Sequence, residues 1–140
     1  MSKRGVVIEA KSNMPIRTVI VDDHPVVRRG IAGFIEDEHE IQIVGEAADP
    51  EEAAALLREI TVDVALIDIC LGDPINGMQL LKSLNLRISG LKVLVLSMYD
   101  DAVYAEKVRA LGARGYLQKN RGPQMIVEGI KRLYAGWTFF

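Results

Sequence analysis

The chain has 140 residues, 49% hydrophobic and 26% charged, a composition that suits one ordinary globular domain and excludes a largely disordered chain. With 17 basic and 19 acidic residues and a formal net charge of −2, its bulk charge points to neither nucleic acid nor membrane. The single cysteine, Cys70, fits a reducing cytosol, no apolar run approaches the roughly 18 residues of a membrane span, and residues 1–14 lack the apolar block of a signal peptide, so a cytoplasmic location without a membrane partner is expected.

In chain order, residues 1–14 show no clear period and are expected as a flexible leader. Ile16 to Val21, IRTVIV, is rich in β-branched residues and predicts a first strand that runs into Asp22 and Asp23. Pro25 suits the first turn of a helix capped by Asp23 or His24, with Val27, Ile31, Phe34 and Ile35 as its buried stripe. Ile41 to Glu46 predicts a second strand. Asp49, Pro50, Glu51 and Glu52 then read as N-cap, N1, N2 and N3 of a second helix continuing through Ile60.

Val62 to Asp68, VDVALID, is an apolar run that suits a central strand buried on both faces of a parallel sheet and ends on one carboxylate. The segment Ile69 to Asn76 reads as loop, followed by a helix over Met78 to Leu84. Leu91 to Leu96 predicts a fourth strand ending in Ser97. Asp100 and Asp101 open a fourth helix with Tyr104, Val108 and Leu111 at i, i+4 and i+7, stopped by Gly112. Arg114 to Gln118 gives a short fifth strand before Lys119, and a last helix starts near Pro123 with Ile126, Ile130 and Leu133 inward. Five strands alternating with five helices predict an α/β protein, a (βα)5 doubly wound parallel sheet.

Every strand except the second ends on a reactive residue: Asp22 and Asp23, Asp68, Ser97, and Lys119. Parallel strands share one carboxyl edge, so these residues are expected to meet in one crevice. A lone acid after a strand is ordinarily a turn former, but the whole set argues for a site. Clustered carboxylates repel one another unless a cation sits among them, and Mg²⁺ suits such a site because it uses one or two carboxylates and keeps waters that a phosphate can replace. A carboxylate nucleophile can take a phosphoryl group as an acyl phosphate, aided by charge neutralisation and alignment. The set therefore reads as a phosphoaspartate site.

These motifs, namely the acid pair in VIVDDHP, the acid in VDVALID, the hydroxyl in VLVLSM and the lysine in GARGYLQK, resemble the receiver domain of bacterial two-component response regulators. Asp68, Ser97 and Lys119 follow one another at the family's intervals of 29 and 22 residues. DDHPVVRRGI, LSMYDD and ALGARGYLQK look most like the NarL/FixJ (LuxR-type) branch. The resemblance implies a flavodoxin-like receiver fold with strand order 2-1-3-4-5 over residues 15–136. Residues 137–140 are expected as the start of a linker or a truncated end, or alternatively as packed on the domain or a partner, given Trp137, Phe139 and Phe140.

Carried over by position, the resemblance makes Asp68 the phosphoacceptor, with Ser97 and Lys119 assisting, and assigns the metal to Asp22, Asp23, Asp68 and the backbone carbonyl of Cys70. Ser97 and Tyr116 become the switch pair, moving to hydrogen-bond the phosphoryl group and to change rotamer. The implied cofactor is Mg²⁺ and the implied partner a sensor histidine kinase. Homodimerisation on phosphorylation is expected, with DNA reached only through a C-terminal helix-turn-helix domain absent from this chain. The protein is then a signalling phosphoacceptor rather than an enzyme. A stand-alone or degenerate receiver acting as a protein-interaction module is the alternative.

Two readings from other classes fit less well. A Mg²⁺-dependent phosphohydrolase would need a general acid near its nucleophile, where Ile69 and Cys70 stand, and a flavodoxin-like cofactor binder would need a glycine-rich loop where Asp-Asp-His-Pro stands. His24 is expected to face solvent in the first helical turn, and the Arg121 region is too short for a nucleic-acid patch.

Overall fold

A computed structural model describes residues 14–69, 74–98 and 102–140. Its strands β1 (Ile16–Val21), β2 (Ile41–Ala47), β3 (Val64–Asp68), β4 (Lys92–Ser97) and β5 (Gly115–Gln118) are all parallel and lie in the order β2-β1-β3-β4-β5. They alternate with α1 (Pro25–Ile35), α2 (Pro50–Glu59), α3 (Pro74–Leu84), α4 (Ala102–Ala110) and α5 (Pro123–Tyr134). A helical turn, Leu86–Ser89, follows α3, and a 3₁₀ turn, Lys119–Arg121, follows β5. Sheet, order and α/β class are those the sequence and the resemblance implied.

Side-chain alternation along the strands divides the core into two layers. Val19, Val21, Ala65, Ile67, Val93 and Val95 point to one face, where Ala53, Leu80, Leu81 and Val108 of α2, α3 and α4 cover them. Ile16, Ile20, Val64, Leu66, Leu94 and Leu96 point to the other, under Ala32 and Ile35 of α1 and Ile126, Ile130 and Leu133 of α5. Every residue of β3 is buried, so the unbroken apolar run of VALID reports a strand covered on both sides.

Local chemistry fixes the helix starts. Asp49 caps α2 by accepting the Glu52 N–H at 2.8 Å, and the Glu52 carboxylate returns to the Ala48 N–H at 2.8 Å. Neither Asp23 nor His24 caps α1 through its side chain: His24 occupies the N-cap position, while its own N–H donates to Asp22 Oδ1 at 2.8 Å. The helix α3 starts at Pro74, inside the stretch that reads as loop, because Pro is tolerated in a first turn and Gly77 lets the helix lie against the Ile69 carbonyl. An added Cβ at Gly77 would come 1.8 Å from that oxygen.

After α5 the chain turns at Gly136, whose φ is +99°, and returns to the sheet. Phe139 forms a parallel bridge with Gly115; the Tyr116 N–H donates to the Phe139 carbonyl at 3.0 Å and the Phe139 N–H to the Arg114 carbonyl at 2.9 Å. Its ring packs on the α1/α5 layer against Gly129, and the Phe140 ring lies 4.0 Å from the Arg109 guanidinium carbon. No helix among the described residues is long and apolar enough to cross a membrane.

Candidate functional site

The sheet order places the ends of β1 and β3 side by side, with α1 leaving one and β4 flanking the other. Val21 pairs with Ile67, so Asp22 and Asp68 each stand one position beyond a paired strand residue. Asp68 in turn pairs with Leu96, and Ser97 with Gln118 next to Lys119. Strand register alone thus gathers residues from 22 to 119 at the carboxyl edge, where open α/β sheets bind ligands.

Burial sets their energetics. Asp22, Asp68 and Ser97 are 1%, 2% and 1% exposed. Carboxylates withdrawn this far from water need a cation, and Lys119 supplies one: its Nζ lies 2.8 Å from Asp22 Oδ2 and 3.2 Å from Asp68 Oδ2. Desolvation by burial works against the ammonium, but the hydrogen bond to Asp22 and the charges of Asp68 and Asp22 outweigh it, and the Lys119 pKa is raised.

The two acids of the pair are held differently. Asp22 is engaged at every polar atom: its N–H donates to the Ala47 carbonyl at 3.0 Å, its carbonyl accepts from Arg28 Nη1 at 2.6 Å, Oδ1 accepts the His24 N–H, and Oδ2 accepts from Lys119. Asp23 is less enclosed, with a side chain 30% exposed, and its buried Oδ1 accepts no hydrogen bond among the described residues.

His24 is largely exposed, as expected, but its Nδ1 sits 2.9 Å from Asp23 Oδ1 and 3.3 Å from Asp22 Oδ1. Ligand atoms of Asp22, Asp23, His24 and Asp68 all lie within 4.8 Å of one another, a cluster able to hold a metal ion. The three carboxylates of this cluster, Asp22, Asp23 and Asp68, fit a hard divalent cation, with His24 Nδ1 beside them.

Tyr116 is 8% exposed, with its ring in the α2–α4 layer and its register partner Val95 two residues before Ser97. The expected metal contact of the Cys70 carbonyl lies outside the described residues. The sequence reading missed Arg28. Its place one helical turn after His24 puts it within reach of the Asp22 carbonyl, but a second arginine beside it gives no pattern to choose between the two.

The sequence matches the response regulator receiver domain family over residues 18–131. It is 35% identical over 124 residues to the response regulator UvrY of Escherichia coli strain K12, an alignment covering 89% of this chain and 56% of that protein. The chain therefore spans about half the length of the curated relatives it matches. A two-component response regulator of the LuxR family from Aurantimonas sp. SI85-9A1 is similar in structure, with a TM-score of 0.83 at 32% identity over 90% of this chain and 89% of that one. The signal receiver domain of the putative response regulator NarL from Mycobacterium tuberculosis gives a TM-score of 0.78 at 29% identity over 88% of this chain and 98% of that one. Acids after β1 and at the end of β3, a buried hydroxyl on β4 and a lysine after β5 are thus carried by a chain that belongs to the response regulator receiver domain family, in its NarL/FixJ branch.

Proposed function

We propose that Asp68 accepts a phosphoryl group from a sensor histidine kinase in a Mg²⁺-dependent step, and that the modified domain switches an interaction surface. The observation that carries this reading is the Lys119 ammonium lodged between Asp22 and Asp68 in a buried crevice. In the transfer, an Asp68 oxygen attacks phosphorus and forms the O–P bond. The P–N bond of the donor phosphohistidine breaks, and the departing imidazole keeps the electron pair and takes a proton from solvent. Lys119 neutralises the phosphoryl oxygens at the point where it now meets Asp68. Asp23 and Asp68 would hold Mg²⁺, with Asp22 acting largely through water and the Cys70 carbonyl as a further ligand, and the ion would supply positive charge against the same oxygens. Hydrolysis reverses the modification: water attacks phosphorus, inorganic phosphate leaves and the carboxylate is restored.

Ser97 then hydrogen-bonds the phosphoryl group and Tyr116 changes rotamer in response, shifting the population of the α4–β5 face and favouring a homodimer. The domain works in the cytoplasm as a signalling phosphoacceptor whose only chemistry is self-phosphorylation from a donor and autodephosphorylation. Control of transcription runs through a helix-turn-helix domain beyond this chain.

Intact-mass measurement after incubation with acetyl phosphate and Mg²⁺ tests the reading. The wild type gains one phosphoryl group and Asp68→Asn gains none; an unmodified wild type overturns it. Ser97→Ala still takes up phosphate but shows a smaller phosphorylation-dependent change in light scattering, whereas equal changes in both proteins remove Ser97 from the switch.

A further inference from the structure

Arg28 is mostly enclosed, with a side chain 16% exposed, and its guanidinium makes two directed contacts. Its Nη1 donates to the Asp22 carbonyl at 2.6 Å and its Nε to Glu46 Oε1, near the end of β2, at 3.0 Å. The rigid fork therefore ties the segment leaving β1 to both α1 and β2. That segment carries both acids of the pair.

We infer that Arg28, braced by Glu46, is a positioning residue for the acid pair: by holding the Asp22 carbonyl it sets how well the Asp22 and Asp23 carboxylates bind the divalent cation. The inference rests on the reading of the acids as a metal site. Its physical basis is the division of labour around Asp22. Each polar atom of that residue has a separate partner, and among the described residues Arg28 is the one side chain holding its carbonyl, so the peptide that joins Asp22 to Asp23 depends on it for orientation. Loss of the fork frees that peptide to rotate, and the Asp23 oxygen is displaced without any change in the ligands themselves. Groups that orient ligands from outside the coordination sphere commonly change metal affinity by about tenfold or more.

Isothermal titration of the unphosphorylated full chain with Mg²⁺, together with the Mg²⁺ dependence of the acetyl phosphate reaction, tests this. Arg28→Met is expected to raise the Mg²⁺ dissociation constant and the half-saturating Mg²⁺ concentration by about tenfold, while the rate at saturating Mg²⁺ stays within about twofold of the wild type. Glu46→Ala, which leaves Arg28 in place but unbraced, moves both quantities the same way by less and serves if Arg28→Met does not fold. The exchanged pair Arg28→Glu with Glu46→Arg restores an ion pair but places no donor on the Asp22 carbonyl, and its Mg²⁺ affinity stays low. Wild-type affinity in Arg28→Met or in the exchanged pair overturns the inference while leaving Asp68 as phosphoacceptor. A wild type that binds no Mg²⁺ and takes no phosphate instead overturns the underlying reading.

Discussion

Lys119 and Asp22 meet at 2.8 Å although 97 positions separate them in the chain. The contact joins the first strand to the turn after the last, and Asp68 lies 3.2 Å from the same nitrogen. Replacing Lys119 by Met leaves two buried carboxylates without their cation. The expected loss is about 3 kcal/mol of stability, read from urea denaturation. If the proposed Mg²⁺ site is correct, added Mg²⁺ recovers part of it; an unchanged midpoint without Mg²⁺ contradicts the assigned role of Lys119.

The pH dependence follows from the sign of the Lys119 shift. A pKa raised in the folded state above the ordinary value of 10.5 contributes stability that is fully present below that value and disappears as pH rises through the folded one. Stability from this lysine is therefore constant around neutrality and falls only in the alkaline range above about 10.5. Lys131 is raised as well, chiefly by its hydrogen bond to Glu38, but its partly exposed side chain leaves that pair open to screening. Alkaline denaturation of Lys119→Met and Lys131→Met at low and high salt separates them: only the Lys131 contribution vanishes in high salt.

The acids of the pair should differ in how much stability an amide substitution costs. Asp22→Asn sets an NH₂ group against the His24 N–H or the Lys119 ammonium, replacing an acceptor by a donor at a buried position. The expected loss is about 2 kcal/mol. Asp23→Asn removes a charge whose neighbour among the described residues, His24 Nδ1 at 2.9 Å, is on a largely exposed side chain, so stability stays within about 0.5 kcal/mol. With both acids in the proposed metal site, Mg²⁺ affinity is expected to fall in both. Thermal melts paired with Mg²⁺ titration check this contrast, and equal destabilisation counts against it.

Gly129 offers a test with a reversed sign. Exchanging glycine for alanine inside a helix ordinarily stabilises by about 0.5–1 kcal/mol, yet a Cβ here would lie 2.8 Å from Leu94 Cδ2 and 3.0 Å from Phe139 Cδ2. Gly129→Ala is expected to destabilise by about 1–3 kcal/mol. In the Phe139→Ala background the clash with the ring is gone, so the second substitution costs less than it does alone. Additive losses in this double-mutant cycle show that the two residues do not share space.

The fold was legible wherever one signal dominated. The unbroken apolar run of β3, the Asp49 cap and the i, i+4, i+7 stripe of α5 each depend on nearest neighbours in sequence, and each stands where it was read. Local chemistry failed at the start of α3, since Pro74 and Gly77 are loop punctuation unless a close backbone approach at Ile69 accounts for the glycine. The same limit applies to the site. Asp22, Asp68, Ser97 and Lys119 could be placed together because strand ends share an edge, whereas Arg28 acts through a carbonyl, a group every residue carries, and leaves no chemical mark in the sequence.

Phe139 also has a consequence for how these molecules behave toward one another. An outermost strand offers a row of free amides and carbonyls to any neighbouring chain, a template for edge-to-edge stacking. By taking the Tyr116 N–H and the Arg114 carbonyl, Phe139 occupies two groups at the edge of β5 from within the chain. Loosening the last four residues would therefore uncover these two groups, and self-association along this edge is the expected consequence, set apart from anything that happens at the acids.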